Sequence, residues 1–175
     1  MKSNSNFWSV CIALCFTLFS CSEPAKPVAV TETTPSVIAA KNKTTSEQSC
    51  TFFNDNKLEE AAKLYAEDYI SHDAVPLKGR AAKQADFAKI RKDWPDIKVT
   101  IEQVVAEGDW VMIRSTATGT HTSVIMGVKP TQKKMTATYW DVHHYNKAGL
   151  IAESWNMTDN AALMQQLGLL PAAKK

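Results

Sequence analysis

The stretch Thr138-Tyr139-Trp140-Asp141-Val142-His143-His144-Tyr145, followed by Asn146-Lys147-Ala148-Gly149 and then Leu150-Ile151-Ala152-Glu153-Ser154-Trp155-Asn156-Met157, decides the fold. Aromatic and β-branched residues dominate both flanks, and an Asn-to-Gly tetrapeptide separates them, which predicts a hairpin of two strands, Met135 to Tyr145 and Leu150 to Met157. Side chains alternate across a strand, so Tyr139, Asp141, His143 and Tyr145 share one face, and Thr138, Trp140, Val142 and His144 the other. A carboxylate is thereby placed on one surface with two phenols and an imidazole.

Working outward, Trp110 to His121 is a second long run rich in Val, Ile and Thr, entered through the turn Glu107-Gly108-Asp109. Before it, Ile97, Val99 and Ile101 alternate with Lys98, Thr100 and Glu102, the pattern of a half-buried strand. After the hairpin, Thr158-Asp159 caps a short helix whose Leu163, Met164 and Leu167 face inward and which Gly168 and Pro171 end. Nearer the start, Leu58, Ala61, Ala62, Tyr65 and Tyr69 recur at helical spacing, with Glu59, Glu60, Lys63 and Glu67 on the opposite side. Phe87, Ile90 and Trp94 mark a second helix that stops before Pro95. Helices followed by hairpin-linked strands predict an α+β domain from Glu47 to Pro171, with an antiparallel sheet folded over the helices.

The first 46 residues read differently. Met1-Lys2 is followed by an uncharged apolar run from Phe7 to Phe19, too short to span a bilayer, which is the layout of a signal peptide over residues 1–20. Leu18-Phe19-Ser20-Cys21 resembles the bacterial lipobox, with Phe19 departing from the usual residue there. This implies cleavage before Cys21, acylation of that cysteine and anchoring in a membrane. Ser22 in place of Asp resembles the sorting signal for the outer membrane, so the expected location is the cell envelope, on its periplasmic side. Residues 21–46, rich in Pro, Thr, Lys and Ala without apolar periodicity, are expected to be a disordered tether. Of four cysteines, Cys11 and Cys15 fall in the removed segment and Cys21 is lipidated, leaving Cys50 as a single thiol with no intrachain disulfide. With 20 Lys+Arg against 18 Asp+Glu the formal charge is +2, which argues against a nucleic-acid partner.

Eight segments in order carry a family resemblance. They begin with Tyr69-Ile70-Ser71-His72-Asp73, Trp94-Pro95-Asp96, Glu107-Gly108-Asp109-Trp110-Val111 and Gly119-Thr120-His121-Thr122. They continue with Lys129-Pro130-Thr131-Gln132-Lys133-Lys134, Asp141-Val142-His143-His144-Tyr145, Gly149-Leu150-Ile151-Ala152-Glu153-Ser154-Trp155, and Asp159 with Leu167-Gly168. Together they resemble the SnoaL-like polyketide cyclases of the nuclear transport factor 2-like superfamily over residues 50–171. Gln132 stands where glycine is usual, and His143-His144 where an aromatic followed by Arg is common. The resemblance implies a cone-shaped sheet around N-terminal helices, a deep apolar pocket, often a homodimer, and no metal or organic cofactor. It also implies an acid/base carboxylate at Asp141.

From the residues themselves, Asp141 in an apolar pocket can be tuned for proton transfer beside a carbonyl, because burial raises a carboxyl pKa and a nearby cation lowers it. His121, at a strand end, and His72 are candidates to polarise a carbonyl or orient Asp141. Tyr139 and His143 share the face of Asp141, and Trp94 and Trp155 are expected to stack on a planar apolar or aromatic ligand. His143 and His144 point to opposite faces and cannot chelate a metal together. Two function classes follow: a cofactor-free acid/base cyclase or isomerase acting on a small carbonyl compound, or a non-catalytic envelope lipoprotein that binds an apolar small molecule.

Overall fold

The computed structural model describes residues 35–125 and 127–171. The signal peptide and Cys21 lie outside the described residues. The elements are α1 (Pro35–Asn54), α2 (Leu58–Lys63), β1 (Tyr65–Ser71), α3 (Arg80–Asp93), β2 (Lys98–Glu107), β3 (Trp110–Thr120), β4 (Lys134–Tyr145), β5 (Ile151–Thr158) and α4 (Asn160–Leu167). The strands form one five-stranded sheet in the order β1-β5-β4-β3-β2. β2, β3, β4 and β5 pair antiparallel, as the turns predict, and β1 joins the edge in parallel to β5.

Most of the strands and both later helices follow from local chemistry. Gly108 turns β2 into β3 with φ of 57°. Asn146 Oδ1 accepts from the backbone N–H groups of Ala148 and Leu150, and Gly149 adopts φ of 76°, closing the β4–β5 hairpin. Asp159 caps α4 by accepting from Ala162 N at 3.0 Å, and Gly168 ends it in the left-handed conformation.

Two expectations are corrected. The helix expected through Tyr69 stops at Lys63, and Tyr65–Ser71 is a strand. Ile151 N donates to Leu64 O at 2.9 Å and His72 N to Ser154 O at 2.8 Å, so pairing with β5 wins over the local helical spacing. The tether expected through Ser46 is also wrong from Pro35 onward, because residues 35–46 belong to α1. Its buried residues are Ala39, Asn42, Ser46, Ser49 and Phe53, spaced by three and four as on any helix face. Small and polar side chains occupy that face, so no apolar period advertises it. Their partners are remote: Ser46 Oγ lies 2.6 Å from Tyr145 Oη and 3.0 Å from His143 Nδ1, Tyr145 Oη donates to Asn42 O, and Asn42 donates to Gly108 O.

The core gathers Phe53, Tyr65, Tyr69, Phe87, Val99, Val111, Ile113, Tyr145 and Ile151 between the helices and one face of the sheet. Tyr65 meets Tyr69 and Phe87 edge-on at 5.0 and 5.8 Å, an arrangement that favours aromatic quadrupoles. The packing leaves a cavity on the same face of the sheet.

Candidate functional site

The cavity has a volume of about 550 Å³ and is walled by α1, α3 and the inner faces of β2 to β5. On β4 its lining residues are Ala137, Tyr139, Asp141 and His143, the last three on the face expected from the sequence, whose fourth member Tyr145 is buried outside the lining, and on β3 they are Ile113, Ser115 and Ala117. Phe53, Phe87, Ile90, Ile97, Val99 and Ile101 form an apolar part of the remaining wall, and Ser46, Ser49, Ser154, Asn156 and Thr158 a polar part. Asp73, Ala74 and Val75 of the loop after β1 line its mouth, where Val75 is 79% exposed.

Asp141 is half-buried on this wall. Its Oδ1 accepts from Asn156 Nδ2 at 2.8 Å, across the β4–β5 pair in which the two residues are direct partners. Asn156 is itself held: Thr158 Oγ1 donates to its Oδ1 at 2.8 Å, and its backbone N–H donates to Asp73 Oδ1 at 2.9 Å. The ionised carboxylate accepts only, so it is the NH₂ end of the amide that faces Asp141. Burial raises the Asp141 carboxyl above the ordinary carboxylate range, Asn156 and Lys83 pull it down, and Asp73 pushes it up.

Lys83 enters the cavity from α3, on the stripe that continues through Asp86, Phe87 and Ile90. Its side chain is 17% exposed. Its ammonium sits 4.6 Å from the centroid of Phe87 and 5.6 Å from that of Tyr65, over the ring faces, and 3.3 Å from Asp86 Oδ2. His143 is buried, and burial followed by the Lys83 charge lowers its pKa to about 3, so its imidazole is neutral. Tyr139 is driven above the ordinary tyrosine range, by burial first and by Asp141 second, and remains a neutral phenol. Cys50 also lines the cavity. Burial and Asp141 raise its thiol to about 11, which leaves it protonated and weakly nucleophilic.

The other candidates lie elsewhere. Trp155 alternates with Ser154 and Asn156 and points to the outer face of the sheet, where it stacks on His72 with ring centroids 4.4 Å apart. The reason is a bulge between His144 and Tyr145, which puts Asn156 rather than Trp155 opposite Asp141. His72 donates from Nε2 to Glu153 Oε2 at 2.7 Å, at an exposed position outside the cavity lining, next to Asp73 at its mouth. His144 holds the other oxygen of Glu153 at 3.0 Å, and the two imidazoles, His72 first, keep that carboxyl below its usual range. His121 is fully buried in the turn after β3, where its Nδ1 accepts from Thr131 N at 3.2 Å; its Nε2 has no partner among the described residues. Trp94 packs against Gly119, where a Cβ would come within 3.2 Å of its ring, and it lies 5.9 Å from His121. Neither residue lines the cavity.

Asn156, Lys83 and Asp73 are the residues that sequence reasoning missed. Lys83 could have been found as a lysine four residues before Phe87 and seven before Ile90, on the buried stripe of its helix. No comparable signal marks Asn156, because the bulge is invisible to alternation. Among the described residues no group of three or more His, Cys, Asp or Glu side chains is placed to hold a metal ion.

A curved α+β sheet closed by helices around an apolar cavity with a few convergent polar groups defines a protein built around a small-molecule pocket. A family model described as SnoaL-like polyketide cyclase matches residues 44–167, and the chain belongs to that family. Among solved structures it is similar to AclR, a candidate hydroxylase from Streptomyces galilaeus, at 24% identity and a TM-score of 0.70, over 78% of this chain and 91% of that one. It is similar to IdmH, a candidate polyketide cyclase from Streptomyces antibioticus, at 28% identity and a TM-score of 0.60, over 77% and 98% of the two chains. A SnoaL-like polyketide cyclase from Agrobacterium tumefaciens shares the fold at 17% identity and a TM-score of 0.64, over 71% and 95%. No curated protein sequence matches the chain.

Proposed function

We propose that the protein is a cofactor-free acid/base enzyme, a cyclase or isomerase, that moves a proton next to the carbonyl of a small apolar compound bound in the cavity. The observation that carries this reading is the Asp141 carboxyl on the cavity wall, raised in pKa by burial and oriented through Oδ1 by Asn156. Oδ1 is engaged and Oδ2 is the oxygen that takes the proton from the carbon α to the carbonyl. Returning that proton elsewhere on the substrate gives isomerisation; attack of the enolate carbon on a second carbonyl breaks that C=O π bond, closes a ring and leaves an alkoxide, which takes the proton back from Asp141. Tyr139 and the neutral His143 border the same space as hydrogen-bonding groups, while the apolar wall accommodates the body of the substrate. Family membership and the similarity to IdmH support cyclisation.

The test uses benzoylacetone, an enolisable aromatic β-diketone, in deuterated water. The protein is expected to speed deuterium incorporation at the α-carbon, and Asp141→Asn to reduce that acceleration by roughly 10²–10⁴. Equal exchange with both proteins removes the acid/base reading and leaves a non-catalytic binder of apolar small molecules.

The same proposal takes the protein to the cell envelope as a lipoprotein anchored through Cys21, supported by the apolar run that ends at that cysteine. A homodimer is supported by the exposed Val105, Trp110, Met112 and Met157 on the face of the sheet turned away from the cavity.

A further inference from the structure

Lys83 is an unusual group to find in this wall. Its ammonium offers three N–H donors, and its one hydrogen-bond partner among the described residues is Asp86 at 3.3 Å, at the long end of such contacts. The rest of its surroundings is the faces of Phe87 and Tyr65 and the cavity itself. A cation in that position, with donors to spare and its side chain largely buried, is suited to receive an oxygen that becomes negative.

The charges around the cavity say when that happens. Asp73, Asp86 and Asp141 line the same space as Lys83, Asp86 beside it on α3, so carboxylates outnumber the one cation among the described lining residues and disfavour a substrate arriving as an anion. A neutral carbonyl compound is not. When Asp141 removes a proton, the C–H bond breaks and its electron pair becomes the carbon–carbon double bond of an enolate. The carbonyl π pair moves to the oxygen, and Oδ2 of Asp141 gains the hydrogen. Negative charge has then left Asp141 and arrived on the substrate, with no net change in the cavity, and Lys83 exchanges one negative neighbour for another.

We propose that Lys83 receives the enolate oxygen, so that the site is matched to neutral, enolisable carbonyl compounds, with Asp141 as base and Lys83 as the oxyanion holder. This rests on the acid/base reading of Asp141 for its chemistry, but its geometry is independent of it. Burial disfavours the charge on Lys83, while Tyr65, Tyr69, Asp86 and Asp141 outweigh that effect and hold the ammonium above the ordinary lysine range. Its partner is a carboxylate, Asp86 at 3.3 Å, as suits a cation.

The test reads binding and no turnover. Asp141→Asn reproduces the neutral base that follows proton abstraction, and para-nitrophenolate serves as an enolate mimic beside its neutral counterpart para-nitrotoluene. By titration with the full chain, Asp141→Asn is expected to bind para-nitrophenolate about tenfold more tightly than the wild type, the size of one charge-assisted hydrogen bond. Adding Lys83→Met is expected to abolish the gain, with para-nitrotoluene binding unchanged throughout. Should that double variant not fold, Lys83→Gln and Lys83→Arg in the same background decide, since the gain must vanish with Gln and survive with Arg. A gain that persists without the cation, or no gain in Asp141→Asn, overturns the proposal. Because no proton is moved, loss of this result and loss of α-carbon exchange are separate outcomes.

Discussion

Asp141 is pulled in opposite directions by its neighbours, and burial wins. A carboxyl whose pKa is raised in the folded protein holds its proton more tightly there than in the unfolded chain. Its favourable contribution is therefore complete below the ordinary carboxylate range, about pH 4, and is lost as the pH rises through the folded-state titration. At neutral pH the ionised group is a cost to stability, tolerated for the chemistry proposed for it. Asp141→Asn keeps an oxygen for Asn156 and removes the charge, so its Tm at neutral pH is expected to exceed that of the wild type by a few degrees, on the order of 1 kcal/mol. The difference should shrink towards zero in acid. Calorimetry at two pH values checks this, and a variant that melts below the wild type at neutral pH would show that burial does not dominate at Asp141.

At the scale of elements, α1 is fastened to the sheet by polar pairs. Ser46 stands between His143 and Tyr145, both buried on β4, and Tyr145 reaches back to Asn42. A buried donor or acceptor left without a partner costs more than a hydrogen bond contributes, about 1–3 kcal/mol per group. Ser46→Ala, which strips a partner from both aromatic residues, is expected to destabilise the fold by that amount in chemical denaturation. A cost within about 0.5 kcal/mol, the usual span of surface changes, would mean that the Ser46 hydroxyl does not help to hold α1. The same pairs explain why a chain starting at Glu47 is expected to fold less stably than one starting at Pro35. β1 illustrates the complementary case. Tyr65 and Tyr69 are four apart and helix-compatible, yet both are buried in a strand because β5 offers a parallel edge there.

For the whole molecule, the sheet separates two surfaces of different character. The inner one encloses the cavity, and the outer one carries exposed apolar residues together with the His72–Trp155 and Trp110–His144 stacks. Trp155 and His72 belong to that outer surface and do not line the cavity. The proposed attachment to a membrane rests on Cys21 and the apolar run before it. Metabolic labelling with a fatty acid is expected to tag the wild type and to spare Cys21→Ser, and equal labelling of both removes the proposed anchor. Among the described residues no helix is long and apolar enough to cross a membrane.

Strands β2 to β5, helices α3 and α4 with their stop signals, and the face on which Asp141, Tyr139 and His143 lie were all legible in the sequence. Each depends on the alternation or helical recurrence of neighbouring side chains, or on a local cap, and such patterns are written within a dozen residues. Tertiary structure alone decided that Pro35–Ser46 is helical, that Tyr65–Ser71 is a strand, and that Asn156 rather than Trp155 faces Asp141. It also placed Lys83 on the cavity wall and left His72 and His121 away from it. The physical reason is common to these cases. A buried serine, a bulged register and a cation among aromatic rings are stabilised by partners far along the chain, and local polarity carries no record of them.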